Sequence, residues 1–196
     1  MWTQPMLLTE RLDPFDDDEY LFEPLVDGQR LLLKMDAGKV RLLSRHGYDI
    51  TRQYPELHNV PLRKPADVVL DGEVACLDPV TGKADFGMLQ ERFRMKKTPR
   101  IREAKAAMPV VYFVFDILHF NGVDLRRKPL LTRKRLLEAV LEDNPFIRKM
   151  TYIERDGVEL FKAAERFGLE GIAGKSKTSL YKEGRSGEWL KIAVKA

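Results

Sequence analysis

Apolar runs of strand length recur from one end of this chain to the other. They read "EYLFEPL" (19–25), "RLLLKM" (30–35), "KVRLLS" (39–44), "DVVLDGEVACL" (67–77), "VVYFVFDILHF" (110–120), "TYIE" (151–154) and "EWLKIAV" (188–194). Short reversals punctuate them: "DAGK" (36–39), "DPVTGK" (78–83) and "NG" (121–122), whose Asp, Asn and Gly residues accept the backbone angles of tight turns. Three stretches carry helical period. "DFGMLQERF" (85–93) is short. "TRKRLLEAVLED" (132–143) sets Leu136, Leu137, Val140 and Leu141 on one face, with Thr132 as N-cap. "DGVELFKAAERFG" (156–168) spaces Val158, Phe161, Ala164 and Phe167 three apart before a C-capping Gly168. The basic, proline-flanked "RMKKTPRIREAKAAMP" (94–109) is the least regular part and is expected on the surface. Strands dominate and turns join many neighbours, so the predicted fold is α+β with mainly antiparallel sheets.

A length of 196 residues suits one substantial domain. With 44% hydrophobic and 33% charged residues the chain can bury a core, which argues against disorder. A net charge of +4 permits a nucleic-acid partner without requiring one. Cys76 is the sole cysteine, so no internal disulfide can form and a reducing compartment is expected. No apolar run approaches the roughly 20 residues that span a bilayer. The start, "MWTQPMLLTERLD", lacks the basic region and apolar core of a signal peptide. A cytoplasmic protein without a membrane partner is the expectation.

Charged residues gather where apolar runs end. Asp27, Glu73 and Glu170 each adjoin a glycine, in "VDG", "LDGE" and "EGIAGK". Carboxylates and cations collected at strand ends suit phosphates and a divalent metal. Each motif alone is weak: "DG" is more often a hairpin turn, and "EGIAGK" reads equally as a strand start with a salt-bridging lysine. Order and spacing carry more. The sequence Glu23-Pro24-Leu25-Val26-Asp27-Gly28-Gln29-Arg30 resembles the pattern Glu-x-Lys-x-Asp-Gly-x-Arg of the covalent nucleotidyltransferases, and within them of the ATP-dependent DNA ligases. The likeness continues in order through Ser44-Arg45-His46-Gly47, "LDGEV" (70–74), "FVFDIL" (113–118), "EGIAGK" (170–175) and "WLKI" (189–192). It implies two mainly antiparallel sheets flanked by helices.

Roles follow by position. Position 25 corresponds to the lysine that attacks the α-phosphate of ATP, and Leu25 has neither lone pair nor charge. Lys34 lies on the next run without the Asp-Gly pair at the right offset, so it is not a natural replacement. Every other motif is kept. That favours a single substitution made to trap a noncovalent ATP state over a natural pseudoenzyme, which would be expected to lose more. The resemblance implies that Glu23 accepts from the adenine amino group, with a strand-edge carboxylate paired to a surface lysine as the plain alternative. It implies that Val26 lines the nucleotide site, that Phe115 stacks on the purine and that Arg30 touches ribose or phosphate. Phe113 shares the face of Phe115, so one of the two could be core. Arg45 would hold the 5′-phosphate of a nick and Asp27 would act with its 3′-hydroxyl. Glu73 and Glu170 would bind Mg²⁺, with Mn²⁺ as a substitute, and Glu73 would also reach the ribose. Lys175 and Lys191 would neutralise the α-phosphate as it becomes five-coordinate. Arg185 is a further phosphate contact or a solvated-loop arginine; Trp189 is assigned to packing and His46 to no role.

Two further departures stand out. Many relatives carry a second lysine where Ala193 stands, which weakens the expected hold on the triphosphate. The chain ends at Ala196, directly after the last motif, where DNA ligases continue into an oligonucleotide-binding barrel. The expectation is therefore one adenylation domain over 1–196 without that barrel. About twenty residues precede the first motif, too few for a nicotinamide-binding domain, so ATP rather than NAD is the expected donor. The leading reading is the core of a small bacterial ATP-dependent DNA ligase of repair or end joining, a monomer acting on nicked duplex DNA. An RNA ligase or a capping guanylyltransferase remains open, as does a silent ATP- or DNA-binding module, which Leu25 favours.

Overall fold

The computed structural model describes residues 3–195; Met1, Trp2 and Ala196, which the expected 1–196 domain includes, lie outside them. One sheet runs in the order β1 (Met6–Glu10), β11 (Gly184–Ala193), β10 (Gly171–Ser176), β2 (Asp17–Pro24), β9 (Ile153–Arg155). The other runs β4 (Lys39–Ser44), β3 (Gln29–Asp36), β5 (Val68–Cys76), β6 (Val110–Phe120), β7 (Val123–Asp124), with β8 (Ile147–Lys149) also paired to β6. Pairing is antiparallel except for β1 with β11 and β6 with β8. The α+β expectation of two mainly antiparallel sheets therefore holds. The reversals are those foreseen: Ala37 and Gly38 take positive φ between β3 and β4, and Asn121 and Gly122 between β6 and β7.

Strand alternation sorts the side chains into three cores. The outer face of the β3–β7 sheet buries Leu31, Leu33, Leu70, Val74, Tyr112 and Val114 against α1 (Phe86–Arg94) and α3 (Leu130–Val140), which supply Leu89 and Leu137. The outer face of the other sheet packs Phe22, Ile172 and Ile192 on Ala164 of α4 (Gly157–Phe167). Between the sheets, Met6, Leu21, Leu32, Leu118 and Trp189 form the third core, beneath an open cleft.

Three local expectations need correction. The segment 94–109 is largely helical: α2 spans Thr98–Ala107, with a proline in its first turn and Ile101 and Ala104 buried three residues apart. The helix at 132–143 starts earlier, capped by Pro129 rather than Thr132, and it buries Arg133 and Lys134 beside Leu130 and Leu137. Ion-pair partners inside the protein override the apolar periodicity there. In α4, Phe167 is 70% exposed although it lies on the predicted apolar face, because the helix ends at Gly168, whose left-handed φ of 69° closes it.

Gly28, which lines the cleft, has no room for a side chain beside the neighbouring strand. A Cβ there would lie 2.2 Å from the carbonyl oxygen of Val74 on β5. Gly28→Ala is expected to cost about 1–3 kcal/mol, as overpacking does, and to lower Tm in thermal unfolding; an unchanged Tm would contradict this packing account.

Candidate functional site

The motifs converge because their spacing is two. Glu23, Ala173 and Lys191 lie side by side on β2, β10 and β11, with Ala173 paired to both of the others. Lys175 pairs with Trp189 in the next row of the same face. Across the cleft, Arg30 of β3 pairs with Glu73 of β5, and Phe115 projects from β6. The cleft between them holds about 700 Å³, within the ~300–1,000 Å³ usual for ligand pockets. Leu25, Val26, Arg45, Glu170 and Arg185 complete its wall. Leu25 follows the end of β2 and its backbone N–H donates to the Gly171 carbonyl at 3.0 Å, so position 25 is pinned at the rim between β2 and β10. Phe115 lines the cleft, whereas Phe113 packs at the edge of the core between the sheets. Asp27 is half-buried and is not among the residues lining the cleft.

The polar groups are already engaged with one another. Glu23 is 2% exposed and bridges two buried lysines, Lys134 of α3 at 2.6 Å through Oε2 and Lys175 through Oε1. Its surroundings are thus neither a strand edge nor a surface pair. Arg30 forks onto Asp71, with Nε and Nη2 each 2.7 Å from a carboxylate oxygen, and Tyr181 donates its hydroxyl to the same group at 2.6 Å. Nη1 of Arg30 has no protein partner among the described residues. Arg185 donates to the Leu8 carbonyl at 2.7 Å from an exposed position. Trp189 donates to Ser179 Oγ at 3.0 Å and stands edge-on to Phe115, consistent with packing.

Sequence reading missed Asp71, Arg133 and Lys134. Asp116, directly after Phe115, takes Arg133 in a buried two-pronged pair at 2.8 and 2.9 Å. Arg133 also donates to the Ser179 carbonyl, so α3, β6 and the support of Trp189 are tied together. The available signal was the pair of aspartates inside otherwise apolar strands, since a buried carboxylate requires a cation.

Burial pushes the Lys175 ammonium down to about 8 despite Glu23. Burial alone would raise the Glu23 carboxyl, but Lys134 and Lys175 outweigh it and hold it below its ordinary value. Burial pushes Glu73 up to about 7, and the Asp71 and Glu170 carboxylates add to the rise against Arg30 and Lys175. Raised in the folded state, Glu73 binds a proton there that the unfolded chain has released, so stability falls as pH climbs from about 4.5 to about 7. Glu73→Gln is therefore expected to be more stable than the parent at pH 8, by about 1 kcal/mol after screening in the open cleft. Denaturant unfolding at pH 5 and pH 8 checks this; a variant less stable at pH 8 would oppose it.

Glu73 and Glu170 share the cleft, and their mutual repulsion favours a cation between them. No cluster of three or more Asp, Glu, His or Cys residues able to hold a metal occurs among the described residues. The donor set fits an ion that keeps waters and takes oxygens from its ligand, as Mg²⁺ does.

The profile of the ATP dependent DNA ligase domain matches residues 5–193. The chain belongs to the ATP-dependent DNA ligase family. It is similar to the SPbeta prophage-derived DNA ligase-like protein LigB of Bacillus subtilis (strain 168), 35% identical over 98% of this chain and 67% of that protein. The multifunctional non-homologous end joining protein LigD of Pseudomonas aeruginosa is 34% identical over 89% of this chain and 20% of its own length. Among solved structures, mycobacterial DNA ligase D complexed with ATP and MES superposes with a TM-score of 0.77 at 28% identity, covering 97% of this chain and 60% of that one. The ligase domain of M. tuberculosis LigD gives 0.78 at 29% identity, over 96% and 58%. The chain thus spans between 20% and 67% of these ligases. The two-sheet architecture is that of the ligase adenylation domain, and no helix among the described residues is long and apolar enough to cross a membrane.

Proposed function

We propose that the cleft binds ATP without reacting with it, and that residues 1–196 form the adenylation domain of a nick-sealing DNA ligase whose first step is lost at position 25. The observation that carries this reading is Leu25 itself, pinned at the rim of a cleft whose floor presents Glu23, Lys175 and Lys191 and whose opposite wall presents Phe115. In an active relative a lysine there forms a covalent adenylate, the adenylyl group passes to the 5′-phosphate of the nick, and the 3′-hydroxyl displaces AMP. Here Glu23 and Val26 would read the adenine, Phe115 would stack on it, and Nη1 of Arg30 would reach the ribose or phosphate. Lys175 and Lys191 would hold the α-phosphate. Mg²⁺ at Glu73 and Glu170 would screen the phosphate charge. On the DNA side, Arg45 and Arg185 would take nick phosphates and Asp27 would serve the 3′-hydroxyl. A bacterial cytoplasmic monomer acting in DNA repair or recombination fits this reading.

Titration calorimetry with Mg²⁺ tests it. ATP is expected to bind and to be preferred over GTP, because Glu23 is an acceptor suited to a 6-amino group. A preference for GTP would favour a capping-type enzyme, and equal affinities would remove Glu23 from base recognition. Leu25 also favours a second reading, a catalytically silent nucleotide-binding module, which predicts ATP binding but no adenylate transfer after the lysine is restored.

A further inference from the structure

Phe115 is only 7% exposed: it packs in the core between the sheets beside Trp189, and two cations lie over its ring. Lys175 Nζ sits 3.8 Å from its ring centroid and Arg30 Cζ 4.8 Å from it. A purine can stack on Phe115 only if one of these groups leaves. Arg30 is fixed by two charge-assisted hydrogen bonds to Asp71, which Tyr181 also holds. Lys175 is held by a single carboxylate oxygen, Glu23 Oε1, and by the faces of Phe115 and Trp189. It is the group that can move. It also sits against Glu23 Oε1, on the side of that carboxylate that borders the ring, while Lys134 holds Oε2.

We propose that Lys175 couples base recognition to phosphate recognition, so that the cleft selects phosphorylated adenine nucleosides and rejects adenosine. This rests on the reading of the cleft as an adenine-nucleotide site. Where Lys175 lies against Phe115 and Glu23, it closes the base slot. A ligand phosphate offers it an alternative anion, and its departure frees both the Phe115 face and Glu23 Oε1. Lys134 stays on Oε2, so Glu23 is never left as a bare buried charge and remains aimed at the slot. Lys134 is therefore a positioning residue. The exchange makes phosphate and base mutually supportive, and by linkage each must raise the affinity of the other.

The test needs no variant at first. Adenosine affinity of the intact protein is measured by calorimetry with and without inorganic pyrophosphate. Adenosine should bind weakly alone and at least 3-fold more tightly with pyrophosphate present. Independence or mutual exclusion of the two would overturn the coupling. Lys175→Met, which keeps the apolar stem between Phe115 and Trp189, should bind adenosine at least 5-fold better than the parent and ATP at least 10-fold worse. A lysine that only contacts phosphate would weaken ATP and leave adenosine unchanged, and that result overturns the proposal while the cleft reading stands. If the parent binds neither ATP nor AMP, the cleft reading itself fails and the coupling falls with it.

Discussion

Ala173→Leu is expected to reduce ATP binding at least 100-fold while leaving the protein folded. Ala173 is the middle residue of the row Glu23–Ala173–Lys191, and it lines the cleft. Its methyl leaves room between an acceptor for the base on one side and a cation for phosphate on the other. A leucine would fill that floor with three more carbons, on the face turned away from Ile172, Ile192 and α4. Ala173 is only 4% exposed, so the change should also cost about 1–3 kcal/mol as overpacking does, short of unfolding the domain. Calorimetry with ATP and thermal unfolding of the same sample separate the two effects. Near-parental ATP affinity in a folded Ala173→Leu would move the ligand off this part of the floor.

The layout of strands was legible in the sequence because alternation and turn chemistry are local. "KVRLLS" became β4 over the expected residues, and "VVYFVFDILHF" became β6. Short strands that owe their existence to a partner were not legible: β8 pairs with β6 in parallel over three residues and carries no pattern of its own. The facing of α3 was misread for the same reason. Arg133 and Lys134 have the chemistry of a solvent face, and only Asp116 on β6 and Glu23 on β2, distant in sequence, draw them inside. At the site, eleven of the twelve positions named from the motifs line one cleft, and Asp27 does not. Their engagement with one another was invisible. Nothing in "EGIAGK" says that its lysine would lie against an aromatic ring and a carboxylate.

Introducing an amine at position 25 should convert binding into chemistry. In Leu25→Lys the new side chain would enter a cleft that already holds Lys175, Lys191 and Arg30. These positive neighbours disfavour the ammonium form and lower its pKa; Glu73 and Glu170 oppose the shift, and Glu23, which keeps Lys134, opposes it less than a free carboxylate would. The neutral amine attacks the α-phosphorus of ATP. A P–N bond forms, the P–O bond to the β-phosphate breaks, pyrophosphate leaves, and the attacking nitrogen releases one proton to water; Lys175 and Lys191 carry the charge that builds on the α-phosphate.

The most direct measurement is the intact mass of the protein after hours with saturating ATP and Mg²⁺, before and after acid. Leu25→Lys should gain one adenylyl group through an acid-labile bond, and the chain with Leu25 should gain none. A label on the chain with Leu25 would place the nucleophile elsewhere, with Lys34 the first residue to test. No label on Leu25→Lys, in a sample that binds ATP, would contradict the assignment of position 25.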